Sequence, residues 1–394
     1  VFVKTTQGSR GAPLTWARLA ALVTRLTQSV TGLAASRIST YVDDPIVVAV
    51  GTPAARKRIL AVTLALWSAR GMPLGLEKAQ IGRSVTWTSA VFTPTKTGLD
   101  VAVKETLVQE TIELCKAVAV NNYTTRKNLR TFIGKAMHIS SLVSCVRPFI
   151  NELYGALYDD SRSGPTPESV WSRQIVHSTE WLQALLCSSQ GTLKRSYDLA
   201  VYFGNGPSVE MCLDASPWGL GGFLTERGQI TSWFACALSA EEVQLLGIEV
   251  GSSASQQVVE ALVALVALRA WAPRWSNLRA RLKVRSDSIS ALVLCLSLKT
   301  KGLGTTAIAR EVALDIAKSV YAPHIVEHVP GLENIVADML SRRFAPGTEY
   351  TLPPCLANVP ELVLQPRDRS YFSTLALPPN QRNWKTGRKR GSME

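Results

Sequence analysis

The stretch that most limits how this chain can fold is Val209-Glu210-Met211-Cys212-Leu213-Asp214-Ala215-Ser216, followed by Pro217-Trp218-Gly219-Leu220-Gly221-Gly222. A short apolar run of β type ends on a carboxylate, and a glycine-rich turn leads into a second apolar run. Acids recur at comparable places downstream. Glu260 lies in an apolar helical segment, Asp287 at a strand end, and Asp338 near a helix start. One such acid is ordinary. Four of them, each at a junction or on an otherwise apolar element, point to a metal site, and the second half of the chain reads as built to bring them together. Residues 258–268 are apolar nearly all round. A charge such as Glu260 beside them is costly unless a cation or a donor meets it.

The coarse order after residue 207 is three strands (208–214, 219–225, 229–236), a helix over 254–272, and a strand over 281–287 running into a helix from 288. A helix over 304–319, a strand over 323–329 and a last helix from about 333 follow. Three hairpin strands and then alternating elements imply a mixed sheet with helices packed against it. Taken singly, the acids have plain alternatives. Asp214 could cap a turn, Asp287 could N-cap the helix that begins near Ser288, and Asp338 could be ordinary helix decoration. Glu210 shares the strand face of Asp214 and reads as incidental.

Earlier in the chain, Leu14, Ala17, Ala21, Leu22 and Leu26 recur at helical spacing in 14–33. Two β-type runs over 37–50 flank Asp43 and Asp44, which predicts a hairpin with the acid pair at its turn. Aspartate is a good turn former, so the pair alone has an ordinary explanation. A helix over 54–69 directs Ile59, Val62, Leu66 and Trp67 to the core, a loop covers 71–78, and 85–92 reads as one strand. Helices are expected over 104–120, over 124–143, from Arg147 onward and over 168–187, with a linker at 159–167. Their basic faces suit either a grip on a duplex or a solvated bundle.

In this order the motifs resemble the reverse transcriptase and ribonuclease H of retroelements. Tyr41-Val42-Asp43-Asp44 matches the YxDD signature of the polymerase palm. Gln7-Gly8 with Pro13 matches the preceding loop, Gly71 through Lys78 the following G…K element, and Trp87 to Phe92 the place of the primer-grip hairpin. Asp214, Glu260 and Asp287 match the ribonuclease H acids in family order. His328-Val329-Pro330-Gly331, then Asn334 and Ala337-Asp338-Met339-Leu340-Ser341-Arg342, match the ending of that domain in LTR-type and tyrosine-recombinase-type retrotransposons. The local pattern leans toward DIRS-like elements.

The resemblance implies an α/β and α+β multidomain chain. Its parts are a partial palm (α+β) over 1–95, a helical thumb and connection over 96–205, and a ribonuclease H-like mixed five-stranded sheet with helices over 207–345. It implies two Mg2+ ions, replaceable by Mn2+, on Asp214, Glu260, Asp287 and Asp338, with His328 assisting water handling or product release. Asp43 and Asp44 would bind metal in the palm. Tyr41 would touch the template–primer, Gln7 and Gly8 template and nucleotide, and Lys78 the incoming phosphates. The implied partners are an RNA–DNA hybrid and a template–primer duplex, with deoxynucleoside triphosphates only if the palm is completed. The sequence starts only a few residues before the Gln7-Gly8 loop, so the family's third palm aspartate and the fingers are expected to be missing. Pro45 directly after the acid pair is a further departure. The runner-up reading is a catalytically inactive relic that binds nucleic acid.

The formal net charge of +13 suits a phosphate-rich partner. No apolar run reaches the length of a membrane span, so no membrane partner is expected. Seven scattered cysteines without a CxxC pair read as reduced thiols of an intracellular protein, cytoplasmic or nuclear. The prolines of 346–394 and the cluster Arg382, Lys385, Arg388, Lys389 and Arg390 predict a disordered, basic tail.

Overall fold

The computed structural model describes residues 10–72, 74–158, 164–187, 193–198, 200, 208–275, 281–299, 302–318, 325–347 and 349–372. The chain divides into two compact units, Val1–Pro94 and Thr95–Glu394.

In the first unit, α1 (Ala12–Thr31) opens with Pro13 in its first turn, where the missing N–H costs nothing. Its buried residues are Ala20, Val23 and Thr27, whereas Leu14 and Leu22 are exposed, so the leucine stripe is not the packed face. The packed face meets the hairpin of β1 (Ser36–Tyr41) and β2 (Asp44–Ala49). Ile38 donates its N–H to Gln28 Oε1 at 2.9 Å, and the hydroxyls of Thr24 and Thr40 meet at 2.7 Å. α2 (Pro53–Ala69) is N-capped by Thr52 and buries Ile59, Thr63 and Trp67. The Trp67 indole donates to Thr27 Oγ1 at 3.0 Å, joining the two helices. The single strand expected over 85–92 is two: β3 (Val85–Trp87) and β4 (Ala90–Pro94), antiparallel. Thr88 and Ser89 make the turn with φ of 47° and 61°. A two-residue turn of that hand fits strand twist, but Thr-Ser lacks the Asn-Gly composition that advertises it.

The second unit begins with β5 (Gly98–Val103), α3 (Glu105–Val120), β6 (Tyr123–Thr125), α4 (Arg126–Leu142) and α5 (Arg147–Tyr158). It continues through β7 (Ser169–Trp171), α6 (Val176–Leu186) and β8 (Lys194–Asp198). The helix expected over 168–187 thus starts late, because residues 169–171 pair with β6 instead. Leu129, Phe132, Phe149, Leu153, Ile175 and Leu182 form the middle of this bundle, and Trp181 stacks on Phe149 at 3.5 Å.

The sheet follows: β9 (Ser208–Ser216), β10 (Gly219–Glu226), β11 (Gln229–Ala237), β12 (Arg281–Ser286) and β13 (Ile325–His328). Its spatial order is β11-β10-β9-β12-β13, the first three antiparallel and β12 and β13 parallel to β9. This is the mixed five-stranded sheet expected. Between the strands lie α7 (Ala240–Leu246), α8 (Gln256–Ala270), α9 (Ile289–Ser297) and α10 (Leu303–Ala317), and α11 (Ile335–Ser341) comes last. The strand period of two sends Met211, Leu213, Leu220, Leu224 and Phe234 into the main core with α8. On the opposite face Trp233 packs with Leu340 and Leu356. α8 is apolar all round because it lies between the sheet and other helices, and Val259 and Ala261 through Leu268 are all buried. The helical bundle shares this core, and Arg310 on α10 pairs with Glu152 on α5 at 3.0 Å.

The expectation of a disordered tail fails for residues 349–372. Leu356 and Phe372 are fully buried. Trp233 donates its indole N–H to Val359 O at 2.9 Å, and Leu362 donates its backbone N–H to Trp233 O at 2.7 Å. Arg367 then pairs with the buried Glu242 of α7 at 2.6 Å. Prolines do not prevent this, because an extended strap needs few ladder bonds of its own. The basic cluster 382–390 lies outside the described residues.

Candidate functional site

β9 carries Asp214 in register with Gly221 of β10. A Cβ at Gly221 would stand 2.4 Å from Ser341 N and 2.6 Å from Leu340 Cβ. Glycine there lets α11 lie directly on the sheet, over the aspartate. Ser341 Oγ donates to Asp214 Oδ2 at 2.6 Å, and Asn334 Nδ2 reaches Oδ1 at 3.5 Å and Leu213 O at 3.0 Å. Asp214 is buried, and that burial pushes its carboxyl up to about 7, with the charges of Asp287 and Asp338 adding and the Ser341 bond opposing.

Asp287 follows the last residue of β12, beside β9 in the sheet. The N-cap of α9 is Ser288, whose Oγ accepts from Ala291 N at 3.2 Å, so Asp287 is not occupied as a cap. The backbone of Gly331 passes close by: a Cβ there would lie 3.4 Å from Asp287 Oδ2. On α11, helical spacing puts Asp338 and Arg342 one turn apart, and Arg342 Nε donates to Asp338 Oδ1 at 2.6 Å. Asp338, Asp214 and Asp287 all act on the Arg342 guanidinium, in that order. These three acids and one arginine form a single charge cluster.

Glu260 is held from the other side. Gln256 Nε2 donates to its Oε1 at 3.1 Å and to Ala215 O at 2.7 Å, tying the start of α8 to the strand of Asp214. Ser290 Oγ donates to Oε2 at 3.2 Å, and Ser288 Oγ donates to the same oxygen. His328 ends β13 in register with Ser286 and is exposed. Glu210 joins Arg285 at 2.7 Å and Lys283 at 3.6 Å, a charge ladder across β9 and β12. Of the residues around the acids, Asn334, Ser341 and Arg342 lie inside the recognised ending without an expected role. For Ser341 and Arg342 the signal was the helical spacing from Asp338 at i+3 and i+4.

Carboxylate oxygens in a crowded, partly buried group are the donor chemistry a hard divalent ion takes. Among the described residues, however, no group of three or more His, Cys, Asp or Glu stands together as a metal-holding set. Hydroxyl, amide and guanidinium donors meet the carboxylates of Asp214, Glu260 and Asp338 instead.

In the first unit, Tyr41 and Asp44 face each other across a two-residue turn of Val42 and Asp43, and all four are exposed. Val42 has φ 54°, unusual for a β-branched residue. Two indoles brace the turn: Trp16 Nε1 donates to Val42 O at 2.7 Å and Trp87 Nε1 to Asp44 O at 2.8 Å. Pro45 stands in register with Thr40. Pairs alternate between hydrogen-bonded and non-bonded, and the pair beside such a turn is the bonded one, so the proline falls where the ladder needs no N–H. Lys78 is exposed in a single 3-10 turn, Leu76–Lys78. Gln7 and Gly8 lie outside the described residues.

No protein-family model matches the chain, and no curated protein sequence matches it. Among solved structures it is similar to the foamy viral protease–reverse transcriptase dRH in complex with double-stranded DNA, at 18% identity and TM-score 0.39, over 80% of this chain and 49% of that one. It is also similar to the foamy viral protease–reverse transcriptase in complex with double-stranded DNA, at 18% identity and TM-score 0.40, over 84% and 61%. A third is the prototype foamy virus protease–reverse transcriptase CSH mutant, at 15% identity and TM-score 0.20, over 84% and 40%. The chain spans less than two thirds of the length of each.

Proposed function

We propose that the second unit carries a ribonuclease H-type active site that hydrolyses the RNA strand of an RNA–DNA hybrid, in a chain derived from a retroelement reverse transcriptase. The observation that carries this reading is the charge cluster itself. Adjacent strands β9 and β12 and the helix α11 place Asp214, Asp287 and Asp338 within mutual electrostatic reach, and Asp214 is pushed up to about 7. A fold does not gather two further acids around a buried carboxylate without cost, and a cation-dependent phosphodiester chemistry supplies the reason.

Asp214, Asp287 and Asp338, with Glu260 from α8, would hold two Mg2+ or Mn2+ ions. Bound there, such ions supply an activated water and stabilise the leaving oxygen. The chain's own residues do the positioning. Ser341 and Asn334 fix the Asp214 carboxylate, Gln256 fixes Glu260 relative to β9, and exposed His328 would assist water handling or product release. The 2′-hydroxyls mark the strand to be cut.

In the first unit we read the braced turn of Tyr41, Asp43 and Asp44 as a polymerase palm turn contacting a template–primer duplex. Gln7, Gly8 and Lys78 would line the nucleotide side, and polymerisation would require a third aspartate and fingers. The thumb and connection would occupy 96–205. The retrotransposon origin, its DIRS-like leaning and a location inside the cell rest on motifs and composition.

The test is cleavage of a labelled RNA–DNA hybrid with Mg2+, wild type beside Asp287→Asn. Metal-dependent cutting by wild type alone supports the nuclease. The donors that already satisfy three of the acids favour a second reading, an inactive binder of hybrid. A folded wild type that binds hybrid and leaves the RNA intact in both Mg2+ and Mn2+ would establish it.

A further inference from the structure

We propose that Arg342 is a resident counter-ion of the acid cluster that competes with divalent metal for Asp338. The inference rests on the ribonuclease H reading above and adds a control element to it. It starts from a mismatch. Asp214, Asp287 and Asp338 share one electrostatic environment, yet among the described residues no three acidic or ligating side chains converge on a common point. Something satisfies the carboxylates in another way. For Asp214 the partners are neutral, the hydroxyl of Ser341 and the amide of Asn334. Glu260 is met by Gln256, Ser288 and Ser290. Among the described residues, Asp338 is the acid of the four met by a full positive charge at ion-pair distance, Arg342 Nε at 2.6 Å from Oδ1.

A guanidinium in that position does electrostatically what one charge of a metal ion would do. It neutralises Asp338 and lowers the repulsion that Asp338 and Asp287 exert on Asp214. A metal ion approaching the same oxygen meets both an occupied lone pair and a like charge. The pair is also placed to open. The Arg342 side chain is 54% exposed and that of Asp338 38%, so the arginine can turn into solvent without leaving a buried hole. Arg342 lies four residues after Asp338 as the C-cap of α11, so the release is a side-chain rotation and the helix need not move.

The experiment is Mn2+ binding to the full chain, read from the electron paramagnetic resonance signal of the free ion, for wild type, Arg342→Gln, Arg342→Lys and Asp338→Asn with and without Arg342→Gln. Removing the competing charge is expected to tighten Mn2+ binding about three- to tenfold in Arg342→Gln, the scale of one partly exposed ion pair plus the lost repulsion. Arg342→Lys keeps the charge but not the fixed fork, and is expected to fall between wild type and Arg342→Gln. It keeps the test open should the glutamine variant not fold. In the Asp338→Asn background, Arg342→Gln is expected to add less than a twofold change, on the order of ordinary non-additivity. Equal or weaker binding in both arginine variants, with wild type binding Mn2+, overturns the competition and leaves the nuclease reading standing. Failure of every variant, wild type included, to bind Mn2+ overturns both.

Discussion

Ser341 Oγ donates a hydrogen bond to Asp214 Oδ2 at 2.6 Å, joining the end of the last helix to the first strand of the sheet. The backbone carbonyl of the same serine accepts a second bond from that strand, from Ser216 Oγ at 2.7 Å. The geometry of the acid cluster therefore depends on how closely α11 approaches β9 and β10, and this dependence can be tested.

Gly221→Ala would put a methyl group 2.4 Å from Ser341 N, a distance no helix backbone accommodates without moving. The variant is expected to lose roughly 1–3 kcal/mol of stability by overpacking, with loss of hybrid cleavage. Chemical denaturation and the cleavage assay measure the two effects. A variant as stable and active as wild type would show that α11 does not seat on the glycine.

Asp214 gives a pH signature. Its folded carboxyl sits at about 7 because burial disfavours the charge, with Asp287 and Asp338 adding, against about 3.9 in an unfolded chain. The folded state therefore keeps a proton that the unfolded state releases. This contribution is fully present below about pH 4 and is lost as pH rises to about 7, by up to roughly 4 kcal/mol. With a chelator present, urea midpoints should fall over that window in wild type. Asp214→Asn should flatten the fall and be the more stable protein at pH 8. An unchanged slope in the variant would rule out Asp214 as its source.

Arg367 and Glu242 form a buried ion pair at 2.6 Å, with side chains 8% and 0% exposed. Arg367→Ala leaves the glutamate uncompensated and is expected to cost about 3–5 kcal/mol. Hydrogen exchange at the Leu362 amide, which bonds Trp233 O, should accelerate more than exchange at β9. Uniform acceleration would mean that the strap and the sheet open only together.

Val42 holds φ at 54° on an exposed turn. Val42→Gly removes a steric penalty, partly offset by chain entropy, and is expected to stabilise the first unit by about 0.5–1 kcal/mol. A thermal melt that drops instead would show that the valine side chain makes packing contacts worth more than the relief.

Much of the sheet was legible because short apolar runs are set off by turn residues and acids, Pro217 and Gly219 between β9 and β10, Gly228 between β10 and β11, and Asp287 after β12. The Asp214 and Asp287 strands and the Glu260 and Asp338 helices appear within a few residues of their expected bounds. What was missed has physical causes. α7 was not expected, although Ser239 and Glu242 form a full capping box; a helix of seven residues is too short to show a period. Residues 169–171 were read as helix, because strand pairing with β6 is a tertiary choice that local propensity does not see. Ser288 took the cap that Asp287 was offered. At the acids, residue types were readable but not all of their partners, since Ser341 finds Asp214, and Arg342 the charges of Asp214 and Asp287, only once α11 has docked.

The strap from residue 349 to Phe372 has a consequence for where this folding unit ends. A chain shortened to the last helix would retain Asp214, Glu260, Asp287 and Asp338. It would also uncover Trp233, strand Glu242 in the interior, and leave the backbone of β11 open to pairing with a neighbouring molecule. Solubility, rather than chemistry, would be the first property such a truncation loses, and the smallest useful fragment extends well beyond the acid motifs that define it.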